Sequence, residues 1–131
     1  MADELKHLGT PSNEPVDAVD LIAWAGGSIL VRLDCAEFTS LCPVTGQPDF
    51  ASLLLEYVPA RHLVETKSLK LYLWRFRTER AYNEQLVDTI ASDLAEQIKP
   101  RWLRVTGRFA PRGGIAVTAT AERGEPEYRP S

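Results

Sequence analysis

The chain has 131 residues, of which 44% are hydrophobic and 25% charged, and this composition is typical of one compact soluble domain. The formal net charge of -3 argues against non-specific nucleic-acid binding, so we expect no direct nucleic-acid partner. No apolar run has the length of a membrane span and no signal peptide is visible, which predicts no membrane partner and a cytoplasmic location. The two cysteines form no zinc-type cluster, so we expect reduced thiols and no metal.

The first third of the chain predicts an arm followed by two strands. Residues 1–18 are polar and contain Pro11 and Pro15, which is typical of a flexible N-terminal arm. Apolar side chains alternate with other residues over 28–34, and a second apolar run covers 50–58. We predict that these two strands pair in antiparallel fashion with a long loop at their shared end.

The middle of the chain predicts two helices. The pattern over residues 65–77 fits either a strand or a helix, and its length favours a helix of about ten residues. Residues 82–98 are clearer, because apolar side chains recur there every four positions, and Pro100 then ends the helix. The recurring positions are Leu86, Ile90, Leu94 and Ile98.

The last third predicts a hairpin and a tail. Strands are expected at 101–109 and 115–121, joined by a turn at residues 111–114, and residues 123–131 are expected to form a frayed C-terminal tail. The order ββααββ predicts an α+β domain over 19–122, with two helices on one face of a four-stranded antiparallel sheet. Such a sheet has exposed edges, so we predict a homo-oligomer in which sheets join edge to edge.

The loop at residues 35–50 contains the strongest chemical signal. Proline and glycine residues restrict its backbone, so the thiol of Cys42 and the carboxylate of Asp49 are held in place. A thiol beside an acid is suited to act as a nucleophile with a proton donor. A tight turn with an incidental buried cysteine explains the same residues, and the loop alone leaves both interpretations open. Cys35 falls in the preceding strand and is interpreted as structural.

Four blocks of the chain together resemble the 7-cyano-7-deazaguanine reductase (QueF) family in its short, single-module form. They are FTSLCP at 38–43, TGQPDFA at 45–51, ETKSLKLYL at 65–73 and PRGG at 111–114. The resemblance covers about residues 31–114. It implies the tunnelling fold (T-fold), assembled into an oligomeric barrel built on a pentameric ring or a decamer, with active sites between subunits. It also implies NADPH-dependent reduction of a nitrile to a primary amine, on the route to queuosine in tRNA.

The resemblance assigns catalytic roles to the two residues of the loop. Cys42 matches the cysteine that attacks the nitrile carbon of 7-cyano-7-deazaguanine and forms a covalent thioimide. A C=N bond formed in this way accepts hydride more readily than a nitrile does. Asp49 matches the family's proton donor, which collects the thiol proton and passes it to the nitrile nitrogen.

The resemblance also implies a substrate site. Glu84 matches the anchor of the base, because one carboxylate can accept both parallel hydrogen bonds from a guanine-like edge. Without the family, Glu84 would be an ordinary solvated residue in the first turn of a helix. The run Val64, Glu65 and Thr66 matches a second substrate contact. The family usually has histidine where Asn83 stands, and asparagine can bind the substrate but cannot act as a general acid.

The implied cofactor is NADPH, and basic and small residues match its contacts. Those positions are Thr66, Lys67, Lys70, Arg112 and Gly113. Ammonium groups suit dinucleotide phosphates, and glycine allows backbone to approach a phosphate closely. A solvated helix face is the alternative explanation for the two lysines. No GxGxxG motif follows a strand, so binding of the Rossmann kind is not expected.

Two other functions compete with reduction. An archaeosine-type amidinotransferase would retain Cys42 and Asp49 but is expected to lack the cofactor signature at residues 65–73, which this chain has. A catalytically impaired deazapurine-binding protein is the third possibility, because of Asn83.

Overall fold

The computed structural model describes Leu5, Lys6, Leu8 and residues 14–131. Within this part the chain forms six strands and two α-helices in the order ββββααββ. They are β1 (Leu21–Ala23), β2 (Val31–Leu41), β3 (Pro48–Val58), β4 (His62–Val64), α1 (Thr66–Trp74), α2 (Asn83–Ile98), β5 (Trp102–Arg112) and β6 (Ile115–Gly124). Short 3-10 turns follow α1 at Arg75–Thr78 and β6 at Pro126–Tyr128.

The main sheet has four antiparallel strands in the order β2-β3-β5-β6, and both helices pack against one of its faces. One core cluster joins the sheet to the helices, because side chains of β3 and β5 contact those of α1 and α2. Its central members include Leu53, Leu55, Val105, Tyr72 and Ile90. The predicted α+β class and the four-stranded sheet with two helices on one face are confirmed.

Both predicted helices are present. The helix α2 starts at Asn83, one residue after the expected start, and ends at Ile98. Lys99 then takes a left-handed conformation with φ 51°, and its N–H donates to Ala95. Helix α1 ends at Trp74, where the chain tightens into a 3-10 turn, so the strand interpretation of residues 65–77 was wrong.

The strand β2 differs most from its prediction. It spans Val31–Leu41 instead of 28–34, so the loop predicted over 35–50 contains only residues 42–47. The reason is a bulge between Cys35 and Phe38, where two residues of β2, Ala36 and Glu37, lie opposite one residue of β3, Ser52. The extra residue breaks the two-residue alternation, so the second half of the strand did not show the expected pattern.

The hairpin of β5 and β6 is confirmed, but its strands are longer than expected. Pro111 and Arg112 belong to β5, and Arg112 pairs with Ile115 of β6, so the turn consists of Gly113 and Gly114 alone. The predicted tail 123–131 is also corrected, because β6 runs to Gly124 and the following segment is docked on the domain. The side chain of Arg129 pairs with Glu122 at 2.8 Å, which holds this end of the chain in place.

Two short strands, β1 and β4, were not predicted from the sequence. β1 and β4 pair as a separate two-stranded sheet, and three residues are too few to show a period. Most of the predicted arm, residues 1–18, lies outside the described residues. Its described end packs on α1, where the N–H of Val16 donates to the carbonyl of Leu71 at 3.3 Å.

The face of the sheet away from the helices carries a buried charge at its centre. Glu56 of β3 is only 2% exposed and lies between two arginines of the neighbouring strands. Its carboxylate is 3.0 Å from Arg32 and 2.9 Å from Arg104. Although burial favours the neutral acid, these two guanidinium groups lower the pKa of Glu56. The carboxylate is therefore paired and ionised.

Candidate active site

Cys42 is the first residue after β2 and opens the six-residue loop. Its N–H donates to the carbonyl of Gln47 at 2.8 Å, and its carbonyl accepts the N–H of Gly46 at 2.9 Å. Gly46 has φ 72°, a conformation that glycine adopts without strain. Two backbone hydrogen bonds within one short loop fix where the thiol is presented.

The surroundings of Cys42 favour its thiolate. Hydrogen bonds from Thr45, through its side chain and backbone, and from the backbone of Val44 lower the pKa of the Cys42 thiol, and the charge of Arg112 adds to this effect. By contrast, burial and the nearby Asp34 raise the pKa of the Cys35 thiol. Because thiolate is the reactive form, Cys42 is the better nucleophile of the two.

Asp49 lies at the start of β3 and is paired with an arginine from β5. Asp49 is 8% exposed, and its Oδ1 lies 2.6 Å from Nε of Arg112. The same guanidinium donates to the carbonyl of Pro48 at 3.2 Å and to Oε1 of Gln47 at 3.4 Å. Arg112 therefore ties the end of the Cys42 loop to the carboxylate that the sequence analysis selected.

The start of α2 is brought to the Cys42 loop within a single chain. The N–H of Leu41 donates to Glu79 at 2.9 Å, and the carbonyl of Leu41 accepts the N–H of Ala81 at 3.2 Å. The segment leading into Asn83 and Glu84 thus runs beside the residue that precedes Cys42. This contact needs no second chain, although the sequence analysis expected the active site to lie between subunits.

The two residues at the start of α2 differ in their environments. Glu84 is exposed in the first turn of the helix. The Oδ1 atom of Asn83 is buried, and no group in the described part of the chain gives it a hydrogen bond. An unsatisfied acceptor next to an exposed carboxylate is suited to receive the donors of a polar ligand.

The run of residues 64–66 presents only one free side chain. The carboxylate of Glu65 caps α1, where it accepts the N–H groups of Lys67 at 2.7 Å and Ser68 at 2.8 Å. Glu65 is 3% exposed, and Val64 is buried beside it. Thr66 is exposed at the first position of α1. Ligand contacts in this run would involve the Thr66 hydroxyl and the backbone more readily than the Glu65 carboxylate.

A groove of about 480 Å³ lies between β2 and α1. Thr66, Lys70 and Trp74 line its helical side, and the bulged part of β2, including Cys35, lines the other. Nζ of Lys70 lies 4.9 Å from the centre of the Trp74 ring. Neither Cys42 nor Asp49 lines this groove. Within a single chain, the Cys42 thiol and the Lys70 groove therefore lie at separate places.

The donor set fits a dinucleotide cofactor. Lys70 and Thr66 supply a cation and a hydroxyl to one groove, and Arg112 supplies a second cation near the thiol. Gly113 has φ 59°, and a Cβ atom added there would meet no atom within 4 Å, so the hairpin turn is open to an approaching group. Phosphates bind to cationic side chains and to accessible backbone at glycine turns.

Two residues that the sequence analysis did not select also belong to this region. Ser40 is fully buried two positions before Cys42, and its hydroxyl has no hydrogen-bond partner among the described residues. Arg80 lies against the loop, because a Cβ atom at Gly46 would be 2.6 Å from Nη2 of Arg80. Ser40 lies inside the FTSLCP block, but sequence alone did not show which way it faces.

The described residues contain no helix long and apolar enough to cross a membrane. They also contain no group of three His, Cys, Asp or Glu residues placed to hold a metal ion.

The fold and the loop define an α+β protein with a thiol of lowered pKa on a loop that Arg112 ties to a buried carboxylate. Residues 48–128 match the family of QueF-like proteins, and the chain belongs to this family. It is 54% identical over 95 residues to the NADPH-dependent 7-cyano-7-deazaguanine reductase of Anaeromyxobacter sp. (strain Fw109-5), an alignment that covers 72% of this chain and 78% of the relative. The reductase of Brucella anthropi is 44% identical, with 96% and 93% covered.

A solved structure shows the same fold. The crystal structure of the archaeosine synthase QueF-Like in the apo form matches with a TM-score of 0.71 and covers 76% of this chain and 98% of its own. Its sequence is 23% identical, so the likeness establishes the fold and not the reaction. The predicted tunnelling fold is confirmed.

Proposed function

We propose that this protein reduces the nitrile of 7-cyano-7-deazaguanine to the primary amine of 7-aminomethyl-7-deazaguanine with NADPH, on the route to queuosine. The observation that carries the proposal is the Cys42 thiol, whose pKa is lowered on a loop tied to Asp49 through Arg112. Relatives at 44–54% identity carry the name of this reductase, which supports the same reaction.

The first step is covalent capture of the nitrile. The Cys42 thiolate adds to the nitrile carbon, so that one S–C bond forms and the C≡N bond becomes C=N. The nitrogen takes up one proton in this step, and Asp49 is the group that supplies it. Across the step the proton lost by the thiol ends on nitrogen, so the thioimide is neutral and no oxidant or reductant is used.

The later steps need two hydrides and two protons to convert the captured C=N group to the amine. NADPH supplies the hydrides, one from each of two molecules. Between the two reductions the S–C bond breaks, and Cys42 leaves as a thiolate that its lowered pKa stabilises. Asp49, held by Arg112, is reprotonated from solvent after each transfer and supplies one proton with each hydride.

Recognition of the base is proposed at the start of α2. The exposed carboxylate of Glu84 accepts the paired N–H donors of the deazaguanine edge, and the unsatisfied Oδ1 of Asn83 accepts a further donor. Val64, Glu65 and Thr66 are proposed as the second contact, chiefly through the Thr66 hydroxyl and the backbone. NADPH is proposed to contact Thr66, Lys67, Lys70, Arg112 and Gly113.

We also propose a homo-oligomer, a pentamer-based ring or a decamer, in which the sheets form a barrel. The strands β2 and β6 lie at the two ends of the sheet order, and each has one edge without a strand partner in the described part of the chain. Joining subunits through these edges would bury them. It would also allow the Lys70 groove of one subunit to face the thiol of the next. A cytoplasmic location is proposed from the reduced thiols, since both cysteines are unpaired.

The test is incubation of the purified protein with 7-cyano-7-deazaguanine and NADPH, with NADPH absorbance and product mass followed together. We expect two NADPH oxidised for each aminomethyl product, and none with Cys42→Ala. In a parallel reaction that also contains an ammonium salt as the nitrogen donor, an amidine product without NADPH oxidation would favour the amidinotransferase, which the named relatives do not support. A stable adduct without NADPH oxidation would indicate the catalytically impaired binding protein.

A further inference from the structure

The hydroxyl of Ser40 is an unsatisfied polar group in the interior. Ser40 is 0% exposed, and its Oγ finds no hydrogen-bond partner in the part of the chain that the structure describes. Buried hydroxyls almost always have a partner, because leaving one unpaired costs free energy. A small apolar residue such as alanine would fill this position without that cost, so the presence of a hydroxyl here needs an explanation.

Ser40 stands directly opposite Asp49. The register of β2 and β3 pairs Ser40 with Asp49, two positions beyond the pair of Phe38 and Ala51. Side chains two positions apart on a strand share a face, and both Phe38 and Ala51 belong to the core cluster on the helix side. Directly opposed side chains have Cβ atoms about 4.5–5.5 Å apart. Rotation about one bond can therefore bring the Ser40 hydroxyl to the carboxylate.

The carboxylate of Asp49 has capacity for this bond. Arg112 at 2.6 Å is its sole partner among the described residues, and an ionised carboxylate can accept about four hydrogen bonds. Arg112 reaches it from β5, Cys42 lies on the loop between the strands, and Glu79 and Arg80 flank Leu41 from the segment before α2. Each of these groups is charged or ionisable. By contrast, Ser40 supplies a neutral hydroxyl from the position of β2 that lies directly opposite Asp49.

The backbone around Ser40 is fixed. Its neighbour Leu41 is bonded to Glu79 and Ala81 on the outer edge of β2, and the other edge of β2 pairs with β3. Ser40 can therefore change its side-chain rotamer but cannot leave the interior.

We propose that Ser40 is a positioning residue that orients the carboxyl group of Asp49 towards the Cys42 loop. This inference rests on the proposed function. A hydroxyl both donates and accepts, so Ser40 can donate to the Asp49 carboxylate and accept from the Asp49 carboxylic acid. Arg112 can only donate, so it favours the ionised form and has no acceptor for the O–H of the acid. Ser40 thus holds the same orientation of Asp49 before and after each proton transfer, and it does not itself touch the substrate.

The kinetic test is a double-mutant cycle on the full chain. We expect Ser40→Ala to lower kcat roughly tenfold, the loss expected when one neutral hydrogen bond to the proton donor is removed, while KM for 7-cyano-7-deazaguanine is unchanged. Ser40→Thr, which keeps the hydroxyl, should restore most of kcat. In the Asp49→Asn background, Ser40→Ala should have almost no further effect. Thr39→Val, a hydroxyl deletion at the neighbouring position of β2, is the matched control and should leave kcat unchanged.

Additive losses from Ser40→Ala and Asp49→Asn would overturn the inference, because they would show that Ser40 acts by another route. A second measurement needs no turnover. The carboxyl ¹³C resonance of Asp49 at fixed pH should move in Ser40→Ala and stay in place in Ser40→Thr and Thr39→Val. An Asp49 resonance insensitive to Ser40→Ala would also overturn it. If the wild-type chain oxidises no NADPH, the proposed reductase function fails, and this resonance still decides whether Ser40 contacts Asp49.

Discussion

Nε of Arg112 lies 2.6 Å from Oδ1 of Asp49, and this pair joins the far end of the hairpin to the loop that carries the thiol. The same arginine contributes to the lowered pKa of Cys42. One guanidinium therefore acts on both the nucleophile and the acid of the proposed reaction, and substitutions can separate the two effects.

Covalent capture should need Cys42 and not Cys35. Without NADPH, the intact-protein mass should increase by one molecule of 7-cyano-7-deazaguanine, and Cys42→Ala should abolish the increase. Cys35→Ala is the matched control and should keep it, because the pKa of the Cys35 thiol is raised by burial and by Asp34. An adduct mapped by peptide mass to Cys35 would refute the assignment.

The thiolate of Cys42 should form at lower pH than that of an ordinary thiol. The rate of iodoacetamide labelling at Cys42, followed by peptide mass, should rise with a midpoint below the usual thiol value of about 8.5. The largest lowering comes from the hydrogen bond with the Thr45 side chain, so Thr45→Val should move the midpoint to higher pH, and Arg112→Gln should move it by a smaller amount. Labelling of Cys35 in the same sample is the internal control, with a midpoint above the usual value. A Cys42 midpoint that does not respond to Thr45→Val would show that the Thr45 hydroxyl does not stabilise the thiolate.

Substitutions at the start of α2 should separate binding from turnover. Glu84→Ala should weaken binding of 7-cyano-7-deazaguanine by about 1–3 kcal/mol, the cost of leaving donors without a charged acceptor, as titration calorimetry can measure. Asn83→His should raise the reduction rate with binding unchanged, because histidine can supply a proton and the base is held chiefly by Glu84. A lower rate in Asn83→His would mean that the pocket is shaped around asparagine and that a different nitrile or reaction is a better hypothesis.

Glu56 should contribute to stability in a manner that depends on pH. Glu56→Gln should lower the free energy of unfolding at pH 7 by about 1–3 kcal/mol, because the guanidinium of Arg104 loses its charged acceptor. Since the folded pKa of Glu56 is lowered, this contribution is complete above the ordinary carboxyl pKa of about 4.3 and is lost as the pH falls through the folded pKa. Urea unfolding at several pH values should therefore show the two proteins converging in acid.

Arg32→Gln is the control for that experiment. The side chain of Arg32 is 61% exposed, so its ion pair with Glu56 is screened by water and should contribute less than about 1 kcal/mol. A loss in Arg32→Gln as large as that in Glu56→Gln would show that the buried carboxylate is not the main contributor.

The assembly should be a ring built on pentamers. Sedimentation velocity on the active protein should give a mass that is a multiple of five chains of 14.6 kDa. The open sheet edges on β2 and β6 favour association of subunits, and the number five is the one that the family resemblance implies. A stable monomer with full reductase activity would be incompatible with a site completed between subunits.

Local sequence patterns were sufficient for the elements that keep a regular period. Helix α2 was predicted within one residue because its apolar positions repeat every four residues and Pro100 follows it. Strand β2 was misjudged because the bulge between Cys35 and Phe38 shifts its alternation, and nothing in the residue types marks an inserted position.

The chemistry of the loop was only partly predictable. Cys42 and Asp49 stand out because both lie within one restricted loop of the sequence. The contact of Arg112 with Asp49 depends on the pairing of β3 with β5, and no local pattern reports a contact between residues so far apart. Burial of the Ser40 hydroxyl is equally invisible in the sequence, because it depends on which face the bulge turns towards the helices.

The hydrogen bonds of Leu41 have a consequence for how subunits can meet. Both outward-facing backbone groups of Leu41 are taken by Glu79 and Ala81 of its own chain. A strand from a neighbouring subunit that adds to the edge of β2 must therefore stop short of Leu41, one residue before the thiol. These two hydrogen bonds therefore limit how far an incoming strand can pair along β2 and leave the Cys42 loop outside that pairing.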